Sequence, residues 1–512
     1  MEVFFFQVAK VMGILRYNPK RAVSHPLGVK PAGNMYLDDC VDAAGLAKQK
    51  SLGQLAAMSE YLLIELLGFC DGADLVTLSG VSMYMRAFSF HTDLWRELFW
   101  AHDSVGTREL VFRDSWRDSY FASFFEAAAG DGGQPKRQRL EATRVRNVFS
   151  DLLFAPYRAS GLEPTPQWIV KENIDRVAAD SLSVADFVER YEKPNKPVIL
   201  TGYLATHWAA FAQWRSVAAL AERAENPTME CGAVEMRIAD FEKYLASAMA
   251  RLDESPIFIF DTKSFGHQQR WQKEYAQIPF FGPDLFDLLT GENRPDHKWL
   301  LVGGAGASSK WHVDPNSTNA WNAVITGAKK WILLPPHLGP PPGVEVSSDG
   351  FAVRQPSTLT DWLDSGFYDE MVRMHGSSGL VEATCNAGEV MFIPRGWWHC
   401  VRNVGDEVTI AVTQNYAAES SVTHVRRFLK EMSHCVSGVP LNRRSKLWIE
   451  LDVALHANRP DLVEGIDIDA LIAESNEQDE VESTGSCCGG EVVEFSFWDH
   501  FATSNKNLNF HR

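Results

Sequence analysis

The sequence predicts a mainly β core with surrounding helices, preceded by a small module that is all helix. Three observations predict this. Residues 319–325 and 329–335 flank Thr326-Gly327-Ala328, which reads as two strands joined by a tight turn. A further strand over Val408–Tyr416 puts Thr409, Ala411, Thr413 and Asn415 on one face, small and polar, and Val408, Ile410 and Val412 on the other. Such a small polar face suits a ligand-lined barrel interior, or else an ordinary solvent-facing strand. Within 51–100, by contrast, leucines recur at helical spacing. A chain of 512 residues is long enough for several domains with sizeable cores.

Taken from the N-terminus, residues 1–50 are an extension. Its start, Met1 to Lys10, has a short apolar run interrupted by Gln7 and no basic leader, so a signal peptide is not expected. In 51–100, Leu52, Leu55, Leu62, Leu63, Leu66 and Leu67 form one helical run. Asp71-Gly72-Ala73-Asp74 breaks it, and Leu75, Leu78, Val81, Tyr84 and Phe88 form a second. So short a piece cannot bury that much apolar surface alone and should dock on something. Residues 101–164 connect onward. Their Gly130–Arg139 stretch has linker composition, with Lys136, Arg137 and Arg139 as a weak nuclear-localisation candidate. Pro340-Pro341-Pro342-Gly343 reads as a rigid connector, and the insert at 344–384, with Trp362, Phe367 and Tyr368, is expected to roof the site. Val422–Met432 and Leu447–Leu455 read as helices, and 431–474 as a C-terminal helical region. From 475 to 512 the tail is acidic, contains Ser and Gly, and is expected to be disordered.

Composition narrows the function classes. With 45% hydrophobic and 22% charged residues, the chain has ordinary globular make-up. A net charge of -17 argues against unaided binding to nucleic acid or anionic membrane and suits a basic peptide better. No stretch is long and apolar enough to span a bilayer. Eight cysteines scattered from Cys40 to Cys488 form no disulfide framework, which suits the reducing nucleus or cytoplasm. Cys487-Cys488 reads as an exposed thiol pair rather than a metal site.

The chemistry concentrates in His312, Asp314 and His399, within Trp311-His312-Val313-Asp314-Pro315 and Gly396-Trp397-Trp398-His399. On a strand, residues two apart point to the same side, so His312 and Asp314 can grip one ion, with His399 arriving from a second strand. Two imidazoles and one carboxylate on one face of iron leave the opposite positions open. Downstream, alternation separates Lys329, Trp331 and Leu333 from Lys330, Ile332 and Leu334, so one of the two lysines must point inward. A buried ammonium is costly without an anion, which makes a carboxylate ligand its natural partner.

These segments resemble the Jumonji-C 2-oxoglutarate oxygenases, in the branch of the arginine demethylase and lysyl hydroxylase. The matching stretches are His312-Val-Asp-Pro, Ala320-Trp-Asn-Ala, Gly327 to Trp331, Gly396-Trp-Trp-His399 and Ile410 to Asn415, with Ile257 to Asp261 upstream. The resemblance covers about 165–430 and implies a double-stranded β-helix of cupin or jelly-roll type. It implies His312, Asp314 and His399 as Fe(II) ligands. It also implies Lys329 and Thr413 on the distal carboxylate of 2-oxoglutarate, Asn322 as a further polar wall, and Trp299 and Asn415 lining the same pocket. Where the relatives carry a tyrosine that reaches the cosubstrate, this chain has Phe258 and no hydroxyl. Residues 51–100 resemble an F-box, through Glu65-Leu66-Leu67, Asp74-Leu75, Leu78, Val81-Ser82 and Leu94-Trp95, without the usual Leu-Pro opening. That implies a Skp-type adaptor of an SCF ubiquitin ligase as partner; the alternative is a structural helical cap.

The resemblance thus implies an Fe(II)-, 2-oxoglutarate- and O₂-dependent oxygenase acting on a basic side chain of a protein or peptide. Lysyl hydroxylation is favoured over histone or arginine demethylation, since no oxygen-rich cage for a methylammonium is evident. The alternative function is a ubiquitin-ligase substrate receptor whose barrel only binds. In relatives of this kind such C-terminal helices often support dimerisation, so the resemblance also allows a homodimer.

Overall fold

The computed structural model describes residues 24–32, 41–102, 110–126, 144–160, 168, 170–231, 234–247, 250, 253, 256–348, 350, 352–356, 358–376, 379–465 and 467. The basic cluster at 136–139, the thiol pair at 487–488 and the acidic tail lie outside them. The chain divides into two units, one formed by 1–165, 239–257 and 356–368, the other by 166–238, 258–355 and 369–512.

The first unit is helical. Its helices are α1 (Val41–Leu52), α2 (Glu60–Gly68), α3 (Gly72–Ser79), α4 (Met83–Ser89), α5 (Thr92–His102), α6 (Trp116–Phe121) and α7 (Asp151–Ser160). Later in the chain come α8 (Ile238–Ala246) and α9 (Leu359–Asp364). Short polar residues start several of them: Ser59 accepts from the Leu62 amide, Asp71 from Ala73 and Asp74, and Ser82 from Met85. Within α2 the leucines divide by helical periodicity. Leu63 and Leu67 are 2% and 1% exposed, whereas Leu62 and Leu66 are 50% and 42% exposed. Gly72 is fixed by packing, because a Cβ there would lie 2.9 Å from the Tyr120 ring. The segments recruited from later in the chain are bonded in. Asp253 accepts from Trp116 Nε1 at 3.1 Å and from the Tyr244 hydroxyl at 2.8 Å, and Arg158 pairs with buried Asp364. The insert's Trp362, Phe367 and Tyr368 fall in this unit as well.

The second unit is built of strands. In chain order they are β1 (Asp175–Ala178), β2 (Val198–Thr201), the hairpin β3 and β4 (Thr228–Cys231, Val234–Arg237), β5 (Ile259–Asp261), β6 (Lys298–Gly303) and β7 (Ser308–His312). Then follow β8 (Asn319–Thr326), β9 (Ala328–Leu334), the short β10 and β11 (Glu345–Val346, Val353–Arg354) and β12 (Val381–Asn386). Last come β13 (Val390–Ile393), β14 (Trp398–Val404) and β15 (Thr409–Tyr416). A seven-stranded sheet runs β1-β2-β13-β8-β15-β6-β5 and a four-stranded sheet runs β12-β9-β14-β7. All neighbours are antiparallel except β1 and β2.

One apolar core joins the two sheets. Ile199, Ala320, Val324, Met391 and Ile393 from the larger meet Trp331, Leu333, Ala383, Cys385 and Val401 from the smaller. This is the double-stranded β-helix the sequence implied. Both faces of β15 are covered: Thr409, Ala411 and Asn415 are buried, as are Ile410 and Val412, which excludes the solvent-facing alternative. Gly327 makes the β8–β9 turn with φ +70°, where a Cβ would lie 2.5 Å from the Thr409 hydroxyl oxygen. Helices α10 (Val422–Glu431) and α11 (Leu447–Asn458) pack in a second core of this unit with Leu285, Phe286 and Leu289.

Candidate active site

The inward face of the smaller sheet is a ladder of three cross-strand rows. At one end His399 of β14 lies opposite His312 of β7 and Leu333 of β9. The middle row is Val401, Trp331 and Ala383, and the far row is Asn403, Lys329 and Cys385. Four residues along a strand separate the end rows, about 13 Å. The fold therefore places two imidazoles and a lysine on one wall with an indole between them.

Asp314 completes a cluster with His312 and His399, one ligand atom from each lying within 4.8 Å of the others. The sequence placed Asp314 on the strand; instead β7 ends at His312 and Asp314 caps a turn at Pro315–Ser317. Its extended backbone (φ -60°, ψ 145°) still continues the alternation, so the side chain returns to the same side. Each ring is oriented by its own strand. His312 Nδ1 meets the Lys310 carbonyl at 2.6 Å, and His399 Nδ1 meets the Trp397 carbonyl at 3.0 Å. With Nδ1–H donating, each Nε2 keeps its lone pair, the arrangement a metal needs.

Electrostatics agree. Burial pushes His312 down to about 3 and His399 to about 4, so both rings are neutral. Burial also raises Asp314, to about 6. Its Oδ2 is buried with no hydrogen-bond partner, an orphaned anion that a cation would satisfy. The donor set therefore fits a divalent iron.

At the far row, Lys329 is buried and its ammonium donates to Asn403 Oδ1 at 3.0 Å. Among the described residues no carboxylate comes within ion-pairing distance of it, and burial pushes it down to about 8. Phe258, Leu301, Gly303 and Ser309 line a cavity with Lys329 and Asn403. Lys330, on the opposite face, is also buried rather than solvated. It donates to the Lys171 carbonyl at 2.5 Å and lies 3.9 Å from Glu382. Lys329 is thus the inward lysine, and Lys330 is the one with a counterion inside the fold.

A cupin-like domain model matches residues 184–422. The arginine-specific demethylase JMJ22 of Arabidopsis thaliana is 35% identical over 493 residues, covering 96% of this chain and 90% of that protein. The chain belongs to the cupin-like Jumonji-C family. The bifunctional arginine demethylase and lysyl-hydroxylase psr-1 of Caenorhabditis elegans is 32% identical over 306 residues, 57% of this chain and 71% of the relative. The human 2-oxoglutarate and iron-dependent oxygenase JMJD4 is 24% identical over 275 residues, 49% of this chain and 63% of the relative.

The remaining residues that the family pattern singles out sit on the larger sheet. Thr413 lies opposite both Asn322 and Trp299, so the three form one row. Thr413 donates its hydroxyl hydrogen to the Trp321 carbonyl at 2.8 Å, while Asn322 Oδ1 is buried with no hydrogen-bond partner. Trp299 stacks on Phe260, ring centroids 5.8 Å apart. Asn415 hydrogen-bonds the Asp314 carboxylate and donates to the Thr318 hydroxyl at 3.1 Å, which ties it to the His312, Asp314 and His399 cluster. Sequence reasoning missed Asn403, Ser309 and Trp331, whose buried indole N–H has no acceptor. Stepping by two from His399 along its strand reaches Asn403, so the signal was present.

Proposed function

We propose that this protein is an Fe(II)- and 2-oxoglutarate-dependent oxygenase that acts on a basic side chain of a protein substrate. The observation that carries this reading is the buried ligand set His312, Asp314 and His399 sharing a wall with an ammonium that has no carboxylate partner among the described residues. When bound, iron supplies the coupling of O₂-dependent decarboxylation of 2-oxoglutarate, to succinate and CO₂, with hydroxylation of a substrate C–H. Every other part is this chain's own work. His312, Asp314 and His399 would hold the metal, each imidazole already turned by its carbonyl. Lys329 would receive the distal carboxylate of the cosubstrate, fixing which end faces the metal. Phe258 offers an apolar wall where a hydroxyl is absent, and Ser309 contributes a hydroxyl to the lining of the same cavity. Trp331, Val401 and Ala383 keep the space between the ends dry.

The reaction on the substrate follows from where the hydroxyl lands. On an N-methyl carbon of arginine it leads to methyl loss as formaldehyde; on a lysine side-chain carbon it stays. The near full-length likeness to an arginine-specific demethylase supports the first, and the name of the bifunctional relative supports both. Nothing favours the barrel as a mere binding module. The test is to incubate the iron-loaded protein with 2-oxoglutarate, O₂ and methylarginine or lysine peptides and read succinate, formaldehyde and peptide mass together. Succinate release coupled to methyl loss or to a gained oxygen is the expected result. Absence of peptide-dependent succinate overturns the reading.

The helical unit supports an adaptor-binding role of the F-box kind. Leu62 and Leu66 on α2, Phe69 at its end, Val81 in the turn after α3 and Met83 at the start of α4 are all exposed. An apolar group of this size on one short module is what a protein partner covers.

A further inference from the structure

We infer that Asn403 is the positioning residue of the cosubstrate pocket: a neutral acceptor that aims Lys329 while leaving its charge for a dicarboxylate. The inference rests on the oxygenase reading above. Three sets of contacts carry it. Asn403 Nδ2 donates to the carbonyls of Gly303 and Gly304 at 3.2 and 3.3 Å. Its main chain is tied to the same β6–β7 turn, its amide donating to the Ala307 carbonyl at 2.8 Å and its carbonyl accepting from Gly306 at 3.0 Å. With both amide hydrogens spoken for, Oδ1 has one orientation left, and Lys329 Nζ lies 3.0 Å from it. The turn itself is made to admit this side chain. A Cβ on Gly303 would lie 3.1 Å from Asn403 Nδ2 and 2.9 Å from Ala307 Cβ.

Neutrality matters as much as aim. A carboxylate at 403 would give Lys329 an internal counterion, as Glu382 does for Lys330 on the other face. An amide oxygen accepts one hydrogen from the ammonium and leaves the net charge intact. The remaining N–H groups, and that charge, face a cavity that Phe258 and Leu301 keep apolar. An ammonium held so is matched to a ligand with a carboxylate at its far end, and indifferent to one without.

The experiment titrates the anaerobic, Fe(II)-loaded protein with 2-oxoglutarate and with 2-oxopentanoate, which keeps the chelating end but has a methyl in place of the distal carboxylate. Binding is read by calorimetry and intrinsic fluorescence, and folding by melting temperature. Asn403→Ala removes the acceptor. Asn403→Thr keeps a hydroxyl for the turn and suits a strand, but offers no carbonyl to Lys329. In whichever variant melts like the wild type, 2-oxoglutarate should weaken by about tenfold or more, the scale of a hydrogen bond to a charged group. Affinity for 2-oxopentanoate should hold. In a Lys329→Ala background the same change at 403 should have no further effect on 2-oxoglutarate. Equal weakening of both acids, or a full effect surviving in that background, makes Asn403 a fastener of the turn and overturns the inference. A wild-type protein that binds neither acid overturns the oxygenase reading itself, and is distinguishable on that ground.

Discussion

At the scale of single residues, the site is organised by what each polar atom lacks. Asp314 Oδ2 has no hydrogen-bond partner and is flanked by two neutral imidazoles, so the acid would be the one anionic donor of the three to a bound cation. Asp314→Ala should abolish iron-dependent turnover and iron retention while the melting temperature of the metal-free protein holds or rises, since a desolvated carboxylate with one oxygen unsatisfied is removed. Full turnover by that variant, measured as succinate, sinks the iron assignment. Lys329 supports a pH prediction. Burial brings it down to about 8 in the fold, below its value in the unfolded chain. Between those values the unfolded chain binds more protons. The burial penalty is thus fully present below about pH 8 and is relieved as pH rises toward the ordinary lysine range. The ligand-free protein should gain stability from this group over that window. Affinity for 2-oxoglutarate should instead hold up to about pH 8 and fall above it, because the distal carboxylate needs the ammonium. Titration across that range checks it, and Lys329→Met should erase the slope while weakening binding about a hundredfold, the scale of breaking a buried pair. Flat pH dependence in the wild type removes Lys329 from the carboxylate.

Among elements, the strands were more legible than the contacts between them. The β8–β9 pair, β15, α10 and α11 all lie where alternation, the Gly327 turn and helical spacing put them. What alternation could not give was register across strands: that Lys329 faces Asn403 rather than another residue is set by the long-range β9–β14 pairing, not by local sequence. It also could not tell which of two adjacent leucines faces out. Spacing alone puts Leu66 and Leu67 in the same apolar run; the helix buries Leu67 and presents Leu66. Leu62→Glu with Leu66→Glu should therefore abolish capture of a Skp-type adaptor and spare turnover. Leu67→Glu should unfold the module at a cost of about 3 kcal/mol or more, because it buries a charge in place of a packed side chain. Pull-down with the adaptor and circular dichroism separate the two, and loss of turnover in the Leu62/Leu66 variant makes the unit a structural cap instead. For the barrel, Gly327→Ala forces a left-handed residue against Thr409 and should destabilise by about 1–3 kcal/mol, read by thermal melting. An unchanged melt shows the turn can relax.

For the molecule as a whole, the order of motifs suggested a module at 51–100 and a separate oxygenase at 165–430, as beads on a string. The helical unit is not continuous in sequence. It takes in 239–257 and 356–368 from within the oxygenase chain. Those segments bring Phe241, Tyr244, Leu359 and Trp362 into its core, all buried, together with Asp253 bonded to Trp116 and Asp364 paired with Arg158. No local periodicity reveals such recruitment, because the contacts join residues more than a hundred positions apart and each segment reads as an ordinary insert. The consequence is testable. A chain starting at residue 166 leaves those apolar side chains without the partners that cover them, and each fully buried aromatic or leucine so exposed forfeits about 1.5–3 kcal/mol of burial. That chain should melt at lower temperature than the full protein, aggregate on concentration, and lose turnover with solubility rather than through its metal ligands. The Leu62/Leu66 variant, which keeps the whole unit, should show none of this. Equal melting temperature and turnover in the shortened and full chains would mean that 239–257 and 356–368 fold with the barrel alone, and that the helical unit ends near residue 165.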